Sequence, residues 1–143
     1  MNALFAPPTR NLPLALLVLR LVAGGIFIAH GAQKLFTFGL AGVTQGFAGM
    51  GVPMPGLMGP AIAFLEFFGG ILLVLGVLTR VWAALLALNM VGAILLVHLK
   101  SGFFNPSGFE FPLALLGICA ALALTGGGPL SVDERLGRGR RNS

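Results

Sequence analysis

Glu66 is the single charged residue between Lys34 and Arg80, and only Lys100 and Glu110 carry charge between Arg80 and Asp133. A surface helix of a water-soluble domain needs a polar face along its whole length. Stretches this long with so few charges cannot provide one, so a soluble globular enzyme is excluded. Disorder is excluded too, because disordered chains are poor in apolar residues and this one is 57% hydrophobic. Charged residues make up 9% of the chain, against about 25% in ordinary soluble domains. The sequence therefore predicts an integral membrane protein, and its 143 residues make one domain, 1–143.

A bilayer core about 30 Å thick takes roughly 20 apolar residues per helix. Four runs qualify, at about 12–35, 57–78, 81–99 and 111–127, the last being the shortest. The predicted fold is an all-α bundle of four transmembrane helices. Pro13, Pro60 and Pro112 suit first helical turns, where the missing N–H has no partner to lose. Thr79-Arg80 joins the second and third spans in a tight hairpin, and the glycines 126–128 with Pro129 end the fourth. The first long connection, Phe36 to Gly56, carries no charge and is rich in Gly, Phe and Met. It is expected either to lie in the interface or to dip back into the bundle, since bare loop backbone is not tolerated against lipid. Arg10, Arg80, Arg135, Arg138, Arg140 and Arg141 gather on one side of this topology, and only Lys34 and Lys100 on the other. By the positive-inside rule both termini are cytoplasmic, with a basic tail over 131–143.

The net charge of +5 follows this segment-end pattern, so no nucleic-acid partner is expected; the lipid bilayer is the expected environment. Cys119 is the sole cysteine, which excludes an internal disulfide and a Cys-x-x-Cys centre. Ionisable residues within spans are costly and need a partner or a task. Arg20 lies inside the first span and Glu66 inside the second, about 10 Å apart in depth. They are expected either to form a buried ion pair that locks two helices or to build a proton or ligand site on Glu66. His30 and His98 lie near outer helix ends at similar depth. They are read as interfacial hydrogen-bonding residues, or as proton or quinone partners, with ligation of haem or, together with Glu66 or Glu110, of a metal as the third alternative; no H-E-x-x-H or paired E-x-x-H spacing is present, and no metal site is predicted. Lys34 and Lys100 are expected to snorkel to headgroups, Asn89 to bond across helices, and Glu110 to sit favourably at a helix N-terminus. Gln33, Asn105 and Glu110 complete an outer polar ring.

Several of these residues fall in a familiar order. Leu-Arg at 19–20 followed by His30-Gly31-x-x-Lys34 resembles the first helix of DoxX-type membrane proteins. The Gly-rich first loop, Glu66-x-x-Gly69-Gly70, His98, Asn105…Gly108-x-Glu110 and the closing Gly-Pro-Leu-Ser-Val-Asp at 128–133 continue the resemblance, over roughly residues 14 to 134. The resemblance implies a four-helix protein of the bacterial inner membrane. It also implies an association with quinone-linked oxidation, membrane redox homeostasis and oxidoreductase partners. The matching positions are Arg20, His30, Lys34, Glu66, His98, Asn105 and Glu110.

These readings lead to three functions. The first is a quinone- or quinol-interacting subunit of a membrane oxidoreductase, with no covalently bound cofactor of its own. There Glu66, His30 and His98 exchange protons, Arg20 tunes Glu66, and Lys34, Asn89, Asn105 and Glu110 line the site. The second is a non-catalytic anchor or assembly factor working with a partner oxidoreductase or as a homo-oligomer. The third is a small proton-coupled transporter.

Overall fold

The computed structural model describes residues 11–141, with side chains described through Arg138. Every regular element among them is helical. In chain order these are α1 (Leu12–Ala32), α2 (Gly39–Gly49), α3 (Pro55–Leu75), α4 (Thr79–Ala93), α5 (Glu110–Thr125) and α6 (Val132–Arg141). Two helices end in wider turns: α1 runs into a π-helical turn at Gln33–Phe38, and α4 into one at Ile94–His98 followed by a 3-10 turn at Leu99–Ser101. Arg10 and the last residues of the basic tail lie outside the described residues.

Three helical runs are long and apolar enough to cross a membrane: Leu12–Gly49, Pro55–Leu75 and Thr79–Ser101. α5 is apolar but has 16 residues, about 24 Å at the α-helical rise. The long connection predicted over Phe36 to Gly56 is mostly helix. Gly39 takes φ +69°, a conformation open to glycine at little cost. It turns the chain out of the first helix, and α2 then packs along the first half of α3. Val43 of α2 is buried there, and a Cβ added to Gly59 of α3 would lie 3.1 Å from it. α3 also begins earlier than the sequence suggested, which leaves Pro60 inside the helix rather than in its first turn. Pro13 and Pro112 do occupy first turns.

Glycines set how closely α1 and α3 approach. A Cβ on Gly24 would come within 2.8 Å of the Gly70 carbonyl, one on Gly70 within 2.8 Å of the Gly24 carbonyl, and one on Gly31 would run into the Phe67 backbone. Without a hydrophobic drive between helices in lipid, such backbone-to-backbone packing is what holds them together. Inside the bundle, Leu16, Ala23 and Phe27 of α1 meet Leu73 of α3, Leu86 and Met90 of α4, and Leu115, Cys119 and Leu122 of α5. Large apolar side chains such as Val18, Leu21, Phe64, Phe68, Leu88 and Leu124 are exposed on the outer surface, an inversion that suits a lipid solvent. The start of α1, the α3–α4 turn and the α5–α6 connection meet at one end of the bundle, as the hairpin topology requires.

Candidate functional site

The polar residues predicted within the spans separate into two centres. At the first, Arg20 is 1% exposed and gives four N–H groups to backbone carbonyls. Nε donates to the Leu73 carbonyl at 3.0 Å and an Nη2 N–H to Val74 at 2.6 Å. Nη1 donates to Gly127 at 3.0 Å and to Leu130 at 2.9 Å. The last carbonyls of a helix lack intrahelical donors, and Leu73 and Val74 belong to the final turn of α3. Room for the guanidinium comes from Gly76, where a Cβ would lie 2.7 Å from Nη2. Asp133 completes this centre. Its two carboxylate oxygens accept the N–H groups of Leu78 and Thr79 at 2.7 and 2.8 Å, capping α4 from the other end of the sequence. Leu78 is held at φ +47° and has no capping side chain of its own. Burial opposes ionisation of Asp133, but these amides and the Arg20 charge outweigh it, so the carboxyl sits below its usual pKa.

The expected Arg20–Glu66 pair therefore does not form. Arg20 points toward the end of α3 and the α5–α6 connection, whose carbonyls take its N–H groups, and Glu66 is partnered by Lys34. Lys34 does not snorkel away: its Nζ forms an ion pair with Glu66 Oε2. Asn89 of α4 donates through Nδ2 to Glu66 Oε1 at 3.0 Å, the cross-helix bond expected of it. Glu66, 5% exposed, is thus held from α1 and from α4 at once. Lys34 stands in the π-helical turn after α1, where an ordinary 3.6-residue wheel no longer gives the direction of a side chain.

This second centre opens on a cavity of about 520 Å³ lined by His30, Lys34, Glu66, Asn89 and His98 together with apolar side chains from all five of α1 to α5. Phe27, Met58, Leu65, Met90 and Leu115 are among the apolar ones. His98 Nδ1 lies 2.9 Å from the Ser107 carbonyl. A carbonyl can only accept, so Nδ1 carries the proton and a neutral ring keeps Nε2 as an acceptor. His30 packs its ring against Phe111, centroids 6.0 Å apart. Asn105 and Glu110 stay out of the lining. The Asn105 N–H donates to Glu110 Oε1 at 2.7 Å, which fixes the connection leading into α5. Among the described residues no three His, Cys, Asp or Glu side chains gather at one point.

Five of the eight predicted site residues therefore share one cavity wall, Arg20 serves the opposite end, and Asn105 and Glu110 shape a loop. The sequence reading missed the Lys34–Glu66 pair. Counted from the predicted span ends, helical rise puts Arg20 nearer in depth to Glu66 than Lys34 is, so depth alone favoured the wrong partner. The capping role of Asp133 had no local signal, because its partners are over 50 residues away.

The model of the family described as DoxX matches residues 15–99. The chain belongs to the DoxX family. The matched stretch contains Arg20, His30, Lys34, Glu66, Asn89 and His98, while Gly127, Leu130 and Asp133 of the Arg20 centre lie beyond it. Similarity to individual DoxX-like relatives extends further. The Bacillus subtilis protein named "Putative oxidoreductase CatD" is 36% identical over 133 residues, covering 93% of this chain and 95% of the relative. Escherichia coli inner membrane protein YphA is 32% identical, covering 86% and 91%. Escherichia coli inner membrane protein YqjF is 35% identical, covering 85% and 92%. No solved structure matches.

Proposed function

We propose that this DoxX protein is a quinone- or quinol-binding subunit of an oxidoreductase system in the bacterial inner membrane. In this reading it spans the bilayer four times, with α5 as the short fourth span and both termini in the cytoplasm. The observation that carries it is Glu66, fixed by Lys34 and Asn89 on the wall of a mostly apolar cavity of about 520 Å³. Cavities of roughly 300–1,000 Å³ with a few convergent polar groups are the usual form of a small-molecule site. The apolar lining suits a ring and its tail. Lys34 and Asn89 offer donors to a ring oxygen, and Glu66 and Nε2 of a neutral His98 ring offer acceptors. Oxidation of a quinol releases two electrons and two protons. Glu66 and His98 are the groups placed to take the protons, and the electrons pass to a partner oxidoreductase. Support for a redox role comes from the Bacillus subtilis relative, whose printed name carries the word oxidoreductase. Arg20, which touches neither Glu66 nor the cavity, holds the end of α3 rather than tuning the acid.

The test is quinone-linked electron transfer in membranes containing Glu66→Gln. The amide keeps the shape and a carbonyl for Lys34, and removes the exchangeable carboxyl proton. The expected result is loss of quinone-dependent activity with the protein still folded and inserted, and retained activity overturns the reading.

One observation favours a second reading, an anchor or assembly factor without chemistry of its own. Arg20 and Glu66, the buried charges of the spans, both have their hydrogen bonds met within the protein. That reading requires Lys34 and Glu66 to be jointly replaceable by Met and Leu with partner activity intact.

A further inference from the structure

The Lys34–Glu66 pair fixes the charge of the cavity as well as its shape. These two are the charged side chains on its wall, and they touch each other. Their charges sum to zero whether the proton sits on the lysine or on the carboxyl, because transfer within the pair changes nothing outside it. The remaining polar groups are Asn89 and the two histidines, and the Nδ1 proton of His98 is committed to Ser107. An ionised headgroup entering this space leaves bulk water and gains no net opposite charge, and an uncompensated charge is expensive in an apolar surrounding. A hydroxyl or carbonyl gives up far less and finds Asn89, Lys34 and Glu66 as partners.

We propose that the cavity accepts uncharged amphiphiles, molecules with an apolar body and a hydroxyl or carbonyl head, and that the Lys34–Glu66 pair rejects charged ones. The proposal rests on the reading of the cavity as a ligand site and deepens it by naming the charge class of the ligand. It has a distinctive consequence. Replacing Glu66 alone leaves Lys34 as an unpaired cation, so an anionic head acquires a partner. Replacing both residues restores neutrality and the original preference.

The experiment measures binding of decanol, decanoate, decylammonium and a short-chain ubiquinone to the detergent-solubilised full chain by native mass spectrometry. It is run at pH 8, where an ordinary histidine is neutral. Ala93→Phe, which fills part of the lining, sets the background of non-specific association. Decanol is expected to bind wild type about tenfold more tightly than either ion. In Glu66→Gln decanoate gains about tenfold, while decylammonium does not. In Lys34→Met/Glu66→Gln the wild-type order returns. Equal binding of the three ten-carbon probes to wild type, or an unchanged order in Glu66→Gln, overturns the proposal. If decanol follows the expected order and the ubiquinone does not bind above background, the charge rule stands and the quinone reading falls. Absence of any binding above background overturns both.

Discussion

Two cations on the first helical run, Arg20 buried and Lys34 half-buried, do opposite jobs. Arg20 spends four of its five N–H donors on carbonyl oxygens of α3 and of the α5–α6 connection, in a region packed so tightly that Gly76 has no room for a Cβ. Lys34, 14 residues on, meets a single carboxylate beside open space. The first is the planar fork of an arginine used to tie off helix ends, which lysine cannot copy. The second is a point charge that neutralises an acid and leaves a cavity free. A buried charge in a membrane protein is a clue to function, but its partners decide which kind. Backbone partners make a clamp, and side-chain partners on a cavity wall make a site.

This contrast breaks most visibly at Arg20. Arg20→Met strands carbonyls at two places and removes the charge next to Asp133. Breaking a buried, hydrogen-bonded charge typically costs about 3–5 kcal/mol, so thermal unfolding in detergent should show a large loss or no folded protein. Arg20→Lys should recover only part of it. Gly31→Leu comes next, because its side chain has nowhere to go but into the Phe67 backbone. Overpacking of this kind costs about 1–3 kcal/mol, and separation of α1 from α3 would register as a lower unfolding midpoint. Glu66→Gln should stand apart from both, with stability changed by about 1 kcal/mol or less and quinone-linked activity lost. If Glu66→Gln unfolds as readily as Arg20→Met, the division into clamp and site is wrong.

A modest, pH-dependent effect is expected at Asp133. Its carboxyl is held below its ordinary pKa, so the folded state favours the ionised form. The stabilisation is complete above the unfolded value near 4 and is lost as pH falls through the lower folded value. Asp133→Asn keeps one acceptor but turns the other into an N–H group facing a backbone amide, and should cost roughly 1 kcal/mol at neutral pH. The wild-type decline in melting temperature below about pH 4 should flatten in the variant.

Much of the site was legible because membrane burial makes ionisable residues rare. With so few inside the spans, each could be singled out, and His30, Lys34, Glu66, Asn89 and His98 do share a wall. Pairing was less legible. Helical rise placed Arg20 within reach of Glu66, but reach is only one condition. The carbonyls at the end of α3 competed for the same guanidinium, and nothing in the residues around Arg20 announces them. The direction of Lys34 depended on a π-helical turn that a regular wheel does not contain. α2 was hidden for a related reason: a short, uncharged, Gly-rich stretch has no strong period, and its helix is held by packing on α3.

The sequence by itself determined that the chain is helical and at home in a membrane, and it singled out the few polar groups inside its apolar runs. Those follow from local hydrophobicity, because a backbone in lipid must satisfy its own hydrogen bonds. The tertiary structure alone decided which charge met which partner, that Asp133 would cap a helix begun more than 50 residues earlier, and that five helices would leave a cavity beside Glu66. Those depend on how close glycines let the helices come and on which unsatisfied group each long side chain reaches first.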